Sequence, residues 1–468
     1  MLFIPRYRYQ DPNRRRRQQS DSSRRNRDSA AAIANDNIAG NMVKLKDFHI
    51  ILDNNKTVYS AGEYVSGHVV VELRGDMKMR GIRVYMRGLA KVHWSESRGG
   101  GHQTGSYTKY YDAEEEYFYM KQVLFGKDEH EGGSNPVLRA GHHELRFSFQ
   151  IPYGRVATSF EGKYGRIRYW LKAEVDKPWG FNSKTKRAFT VIDHIDINTS
   201  ALLAPQTGFQ EKTVCCGLCV AGNISMSIKT DRKGYCPGES IAISSEFQNQ
   251  SGRRIKPRAT LYQRTTFFAD GKSRSVRNAV ATLQGNTIRG RRTETWSNKL
   301  LKIPPITPTL TNCGIIKLEY FLTICLDITG AMNLYLHLPV VVGTVPLRAP
   351  PYTPFDPMSL GGMELNFSAM FGGTTIGEAE QEPSQQPSQQ PSQPPSQSSP
   401  PSYAECVFGA VDIRDDETGD MMGDTLFTPM YTYVPNYEFR QPPPPYSVMD
   451  PNASLSQGIE TYTPVGVS

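Results

Sequence analysis

The chain contains 468 residues, of which 38% are hydrophobic, enough for two or three domains with well-formed cores. The formal net charge of +8 is unevenly distributed: residues 1–40 carry nine arginines and four aspartates, whereas residues 352–468 carry two arginines and fifteen acidic residues. The strongly basic segment between them favours anionic partners, and the lack of a signal-like stretch or of a run of about 18 apolar residues argues against a secreted or membrane-spanning protein.

Residues 1–42 are predicted to form a disordered basic arm. They include four consecutive arginines, Arg14–Arg17, a pattern also found in nuclear-localisation and RNA-binding segments. No aromatic stacking platform or nucleic-acid motif accompanies these arginines, so we expect a solvated arm and no nucleic-acid partner. A nucleic-acid-binding scaffold that uses this arm is retained as an alternative.

Apolar and polar residues alternate with a period of two from residue 45 to residue 345. In RIRYWLKAEV (residues 166–175) every second residue from Ile167 is apolar, and KLEYFLTICLDI (residues 317–328) repeats the pattern from Leu318. Gly, Pro and Asn clusters separate these runs, and no long segment shows a helical period. Many short, half-buried strands separated by turns are typical of an all-β sandwich.

Three sequence landmarks occur twice in the same order, which indicates a duplication. They are YSAGEYVSG and YCPGESIAI, which begin at Tyr59 and Tyr235; QIPYG and KIPPI, which contain Ile151 and Ile303; and RYWLKA and EYFLTI, which contain Tyr169 and Tyr320. The glycine in the first pair permits a turn with positive φ immediately before a buried strand. We therefore predict two homologous immunoglobulin-type β-sandwiches in tandem, at residues 43–205 and 206–350.

Four segments of this body resemble the arrestin fold, and in particular the α-arrestins, the arrestin-domain-containing proteins. The segments are VHWSESRGGG, ATSFEGKYGRIRYWLKAEVDKPW, KRAFTVIDHIDIN and RKGYCPGESIAI. The resemblance covers roughly residues 43–350, and therefore both sandwiches. It implies an adaptor whose sandwiches meet membrane receptors or transporters as cargo and whose tail recruits ubiquitin ligases. Such an adaptor is expected in the cytoplasm, with recruitment to the plasma membrane and endosomes.

Basic residues at polar positions of the predicted strands are candidates for contact with acidic cargo tails or an anionic membrane surface. These residues are Arg83, Arg87, Arg166, Arg168 and Lys172. Ordinary solvated sheet faces would carry the same residues, so this alternative stays open.

Four of the seven cysteines lie near the start of the second sandwich. Cys215, Cys216 and Cys219 form CCGLC, which lacks a second pair of ligands at zinc spacing and is a candidate for reversible S-palmitoylation or a set of inert thiols. An odd number of cysteines without a signal peptide favours reduced thiols in the cytosol. Cys236 lies where the thioredoxin-binding relative of the resembled family carries its redox cysteine, which implies a redox regulator as the alternative function.

Residues 351–468 are predicted to be a disordered tail rich in Pro, Ser and Gln. The repeat EPSQQPSQQPSQPPSQSSPP has no apolar side chains to offset chain entropy. Two stretches of this tail have the sequence Pro-Pro-x-Tyr. The first motif contains Pro400, Pro401 and Tyr403, and the second contains Pro443, Pro444 and Tyr446.

A WW domain is the expected reader of both motifs. Proline restricts φ to about −65°, so the motif is already close to polyproline II and loses little entropy on binding. The prolines fill an aromatic groove and the tyrosine enters an adjacent pocket. Together with the α-arrestin resemblance, the motifs predict recruitment of WW-domain ubiquitin ligases of the HECT class. No nucleophile elbow, phosphate loop or paired-carboxylate motif is present, so we expect no enzyme activity, no cofactor and no metal site.

Overall fold

The computed structural model describes residues 44–99, 107–154, 156–216, 219–348, 402–407, 409–414 and 421–435. The first domain contains strands β1 Leu45–Leu52, β2 Val58–Tyr59, β3 Tyr64–Leu73, β4 Met77–Lys78, β5 Gly81–Arg98, β6 Tyr107–Gly126, β7 Val137–Leu138, β8 Gly141–Gln150, β9 Phe160–Gly162, β10 Gly165–Asp176 and β11 Ser183–Val191. A 3-10 turn, Asp53–Asn55, follows β1, and a single helical turn, α1 Ser200–Leu203, precedes the second domain.

The second domain contains β12 Gln206–Cys216, β13 Cys219–Thr230, β14 Gly234–Tyr235, β15 Ser240–Asn249, β16 Ile255–Ala269, β17 Lys272–Gln284, β18 Arg292–Lys302, β19 Ile316–Ile328 and β20 Leu334–Val342. Five short strands follow near the end of the chain: β21 Tyr403–Glu405, β22 Val411–Asp412, β23 Met421–Met422, β24 Leu426–Phe427 and β25 Met430–Thr432.

Each domain is a sandwich of two sheets. In the first domain, a three-stranded sheet in the order β1-β3-β8 accompanies a sheet in the order β2-β11-β10-β5-β6, to which β9 and β23 are attached. In the second, the sheet β12-β13-β15-β18 accompanies the sheet β14-β20-β19-β16-β17. The all-β prediction with two tandem sandwiches is confirmed for the described residues.

The predicted alternation determines which side chains form the core. In β10 the side chains from Ile167 to Val175 at every second position are fully buried, and the same holds for β19 from Leu318 to Leu326. Successive side chains in a strand point to opposite faces, so the apolar set of each strand enters the space between the two sheets of its sandwich. One apolar cluster of buried side chains runs through both domains.

The repeated Tyr-x-x-Gly-Glu sequence forms the same turn in both domains. Gly62 has φ of +84° and Gly238 has φ of +91°, a region that side-chain-bearing residues rarely adopt. In each turn the glutamate carboxylate accepts a backbone N–H from three residues earlier: Glu63 from Ser60 at 2.8 Å, and Glu239 from Cys236 at 2.9 Å. The tyrosine hydroxyl donates to a carbonyl three residues before it, at 2.8 Å in both copies.

The other two landmarks also have equivalent contacts in the two domains. The N–H of Ile151 donates to Glu63 O, and the N–H of Ile303 donates to Glu239 O, both at 2.9 Å. The buried hydroxyl of Tyr169 donates to Ala157 O at 2.6 Å, and Tyr320 donates in the same way to Thr307 O. The sequence repeat therefore reflects a structural repeat with conserved hydrogen bonds.

The two domains are in direct contact. A loop of the second domain reaches Asp193, whose carboxylate accepts Thr311 Oγ1 at 3.1 Å and Asn312 Nδ2 at 2.7 Å. Phe267 of the second domain packs edge-on against Tyr164 of the first, with ring centroids 5.8 Å apart. This polar and aromatic interface fixes the relative position of the surfaces that the tail strands contact.

Candidate functional site

The first Pro-Pro-x-Tyr motif lies at the edge of the described tail residues. Tyr403 begins β21 and is 41% exposed, whereas Pro400 and Pro401 lie outside the described residues. The second motif, Pro443, Pro444 and Tyr446, lies entirely outside them.

Part of the tail is folded against the body, which corrects the expectation of disorder for this part of residues 351–468. We call the described residues from 402 to 435 the strap. Unlike the Pro/Ser/Gln repeat, the strap carries apolar side chains that are buried: Cys406, Ile413, Phe427 and Tyr431. Burial of these side chains offsets the entropy lost when the strap becomes ordered. The clustering of apolar residues between positions 403 and 434 is the sequence signal that could have predicted an ordered segment here.

The beginning and the end of the strap form a two-stranded antiparallel ribbon. Strand β21 pairs with β25, which places Tyr403 opposite Thr432. Next to this pair, Ser402 O accepts the N–H of Tyr433 at 2.8 Å, and Ser402 Oγ donates to Tyr433 O. The N–H of Cys406 donates to Pro429 O at 2.9 Å. Ser402 and Tyr403, the last two residues of the first motif, are therefore part of a β-ladder.

Tyr431 anchors this ribbon at the interface between the domains. Its side chain is fully buried. Its hydroxyl donates to Ser159 O of the first domain at 2.8 Å and accepts from Thr307 Oγ1 of the second at 3.1 Å. Burial raises the pKa of Tyr431 well above its usual range, so the phenol stays neutral and can donate. A single strap side chain thus bridges both sandwiches.

Main-chain hydrogen bonds tie the ribbon to each domain separately. Met430 N–H donates to Thr190 Oγ1 of the first domain at 3.1 Å. Val434 N–H donates to Pro237 O at 2.9 Å and Val407 N–H to Pro305 O at 3.1 Å, both in the second domain. The ribbon is therefore held across the interface and not on one domain alone.

The middle of the strap covers the outer face of the first domain. Ile413 and Phe427 form a small apolar cluster with Ala188, against which the half-buried Trp170 packs. Lys186 Nζ donates to Ile413 O at 2.9 Å and lies 4.5 Å from the centre of the Trp170 ring. At the edge of the same sheet, β23 adds to β11 as a parallel strand.

Two of the five candidate cargo-contact cations are buried, contrary to the expectation that they face solvent. Arg83 is 1% exposed and its Nη2 lies 2.9 Å from Asp176 Oδ2. Arg168 is 6% exposed and pairs through Nε with Glu161 Oε1 at 2.5 Å. The polar face of a strand is solvated only where nothing covers it. At Arg83 and Arg168, loops and neighbouring strands cover this face.

The other three candidates are half-buried. Arg87 pairs with Glu116, with Nε 2.7 Å from Oε2. Lys172 lies over the Tyr85 ring with Nζ 5.5 Å from its centre, and Arg166 is on the same face of β10. These three cations keep part of their surface accessible.

The cysteine candidates differ in which of their atoms the structure describes. Cys236 is fully buried, and burial raises the pKa of its thiol well above the usual range, with a further contribution from the Glu239 carboxylate. The backbone of β12 and β13 pairs Cys216 with Cys219. The side chains of these two residues and of Cys215 lie outside the described part of the structure.

Within the described ranges, no group of three or more His, Cys, Asp or Glu side chains is placed to hold a metal ion. In those ranges too, no helix combines the length and apolar character needed to cross a membrane.

Comparison with known proteins gives matches over both sandwiches. Residues 48–198 match the N-terminal domain of arrestin (or S-antigen), and residues 221–347 match its C-terminal domain. Arrestin domain-containing protein 4 of Mus musculus is 35% identical over 409 residues, covering 86% of this chain and 92% of the relative. The Homo sapiens protein of the same name is 35% identical over 417 residues, covering 88% and 93%. The thioredoxin-interacting protein of Sus scrofa is 31% identical over 415 residues, covering 87% and 97%.

Proposed function

The chain belongs to the α-arrestin family of non-enzymatic, adaptor-like proteins, and on this basis we propose that it recruits WW-domain ubiquitin ligases of the HECT class to membrane receptors or transporters. The ligase then ubiquitinates the bound cargo, which is internalised and sorted. In this proposal the protein works from the cytoplasm and is recruited to the plasma membrane and endosomes.

The observation that carries the proposal is the pair of Pro-Pro-x-Tyr motifs behind an arrestin body. Tyr403 and Tyr446 are 43 residues apart in one acidic tail, and each follows two prolines at the spacing that a WW domain reads. HECT ligases of this class carry several WW domains. Once one motif is bound, the second contact becomes intramolecular, at an effective concentration on the order of millimolar.

Cargo and membrane contacts are assigned to the basic body. Arg87, Arg166 and Lys172 remain candidates for acidic cargo tails or an anionic membrane surface, because their side chains are only half-buried. Reversible acylation of Cys215, Cys216 and Cys219 would strengthen a membrane contact of the second domain.

The binding of a multi-WW ligase fragment tests the proposal. We expect Tyr403→Ala or Tyr446→Ala to weaken binding about tenfold to a hundredfold, because each change removes one of two linked contacts. The double change should nearly abolish binding while cargo binding persists. Isothermal titration of the wild type, both single variants and the double variant gives these affinities. Undiminished binding by the double variant would refute the motifs as the recruiting element.

The alternative is a redox regulator that binds thioredoxin through Cys236. The name of the 31% identical relative favours it, whereas burial and the raised thiol pKa disfavour a thiolate in the folded body. A mixed-disulfide trap separates the two functions: the thioredoxin is a resolving-cysteine variant whose remaining thiol is activated as a thionitrobenzoate disulfide, and the Cys236 thiolate attacks that sulfur and displaces thionitrobenzoate. We expect little trapped complex, and the same amount with Cys236→Ser. A complex that forms with the wild type and disappears in Cys236→Ser would favour the alternative.

A further inference from the structure

We propose that the strap gates the first motif: a WW domain binds at Tyr403 only when β21 leaves β25, and a bound WW domain keeps β21 released. This inference rests on the proposed function, since it assumes that the motif is read by a WW domain. It adds a regulated step: the ligase contacts the first motif only when β21 is separated from β25 at the domain interface.

The backbone of the last two residues of the motif is already engaged. Ser402 exchanges two hydrogen bonds with Tyr433, and Tyr403 is paired with Thr432. A WW domain lays the same residues in a groove as a polyproline II segment and surrounds them with its own side chains. Strand β25 and the adjoining Tyr433 lie against these two residues. Both partners therefore compete for Ser402 and Tyr403.

Tyr403 is also partly covered. With 41% of the residue exposed, more than half of Tyr403 is covered by the protein, whereas a WW pocket takes up the ring itself. Burial raises the pKa of Tyr403, and the negative charge of Glu63 raises it further. The ring has to leave this position before it can enter a WW pocket.

Release of β21 does not require release of the whole strap. Tyr431, Met430 and Val434 hold β25 to the two domains through bonds that do not involve β21. Opening β21 breaks its ladder with β25 and the Val407–Pro305 hydrogen bond, and exposes Cys406. The net contribution of one hydrogen bond changes an equilibrium constant by a factor of up to about ten. Because bonds of this kind must break, we expect gating to weaken WW binding by about 10- to 100-fold.

The repeated glycine turn offers a matched pair of variants that act on the strap. A Cβ at Gly238 would lie 2.3 Å from Val434 O, so Gly238→Ala pushes against the end of the ribbon. A Cβ at Gly62 would meet the ring of Tyr153, which is 79% exposed and free to rotate away. Both glycines have similar positive φ, so the backbone strain is matched and only Gly238→Ala disturbs the strap.

The affinity experiment uses one recombinant WW domain and the full chain carrying Tyr446→Ala, so that only the first motif is available. A synthetic peptide of residues 396–405 gives the ungated affinity, and the full chain with Tyr403→Ala and Tyr446→Ala gives the background. We expect the full chain to bind 10- to 100-fold more weakly than the peptide. Adding Gly238→Ala should recover at least threefold, and adding Gly62→Ala should recover nothing.

Hydrogen exchange gives a second measurement that needs no strap variant. Tyr433 N–H donates to Ser402 O, so saturating the Tyr446→Ala chain with the WW domain should speed exchange at Tyr433. Equal affinity of chain and peptide, or unchanged exchange at Tyr433 in the bound state, would overturn gating while leaving ligase recruitment intact. A peptide that does not bind the WW domain would instead refute the proposed function at this motif.

Discussion

At the scale of single residues, burial separates side chains that the sequence pattern treats alike. Arg83 and Arg87 both lie on β5, but the side chain of Arg83 is 2% exposed beside Asp176 and that of Arg87 is 35% exposed beside Glu116. A buried guanidinium is tolerated because its partner carboxylate replaces water, whereas a surface pair is solvated and screened. Arg83 is therefore a structural residue, and the cargo hypothesis keeps only the half-buried cations.

Substitution of these two arginines gives a stability prediction. Arg83→Gln removes the buried cation and leaves the Asp176 carboxylate with only Arg80, whose side chain is 50% exposed, so we expect a loss of about 2–3 kcal/mol in the free energy of unfolding. Arg87→Gln is the matched control on the same strand and should cost less than about 1 kcal/mol. Denaturant unfolding of both variants measures the difference. Equal stabilities would mean that Arg83 contributes no more than a surface ion pair.

At the scale of structural elements, the strap is a short segment whose order depends on the body. Strands β21 to β25 have only two or three residues each, too few to be stable alone. Their stability comes from Tyr431 at the domain interface and from Ile413 and Phe427 against the outer face of β10 and β11. The body in turn gains a connection between its two domains.

Truncation tests the contribution of the strap. Removing everything after residue 348 uncovers the site of Tyr431 and leaves the buried Ser159 and Thr307 partners without it, so the free body should unfold at a temperature several degrees lower than a chain ending at residue 440. Differential scanning calorimetry of both chains measures this shift. A third chain ending at residue 400 is the control and should behave like the body alone. Identical transitions for all three would show that the strap adds no stability.

At the scale of the whole molecule, the strap changes the distance between the two WW motifs. As a flexible chain, the 43 residues from Tyr403 to Tyr446 would span roughly 35 Å. The β21–β25 ribbon instead brings Thr432 opposite Tyr403, so the second motif is attached close to the first. From Pro435 to Pro443 the chain reaches at most about 28 Å, at about 3.5 Å per residue. The chain that leads to the second motif therefore starts at the domain interface, beside Tyr403.

The sequence by itself determined the features that depend on residues close together in the chain. Alternation over β10 and β19 specified the buried face of each strand, and the repeated Tyr-x-x-Gly-Glu specified two equivalent turns. The Pro-Pro-x-Tyr motifs are equally local, because four adjacent residues carry their chemistry.

Only the tertiary structure decided which polar and tail residues are covered. Arg83 meets Asp176 from 93 residues away, and Tyr431 meets Ser159 from 272 residues away. The alternation of a strand identifies its two faces but does not specify what packs against the second one. Docking of the strap likewise depends on a surface that exists only after both domains have folded, because Tyr431 takes its two hydrogen-bond partners from different domains.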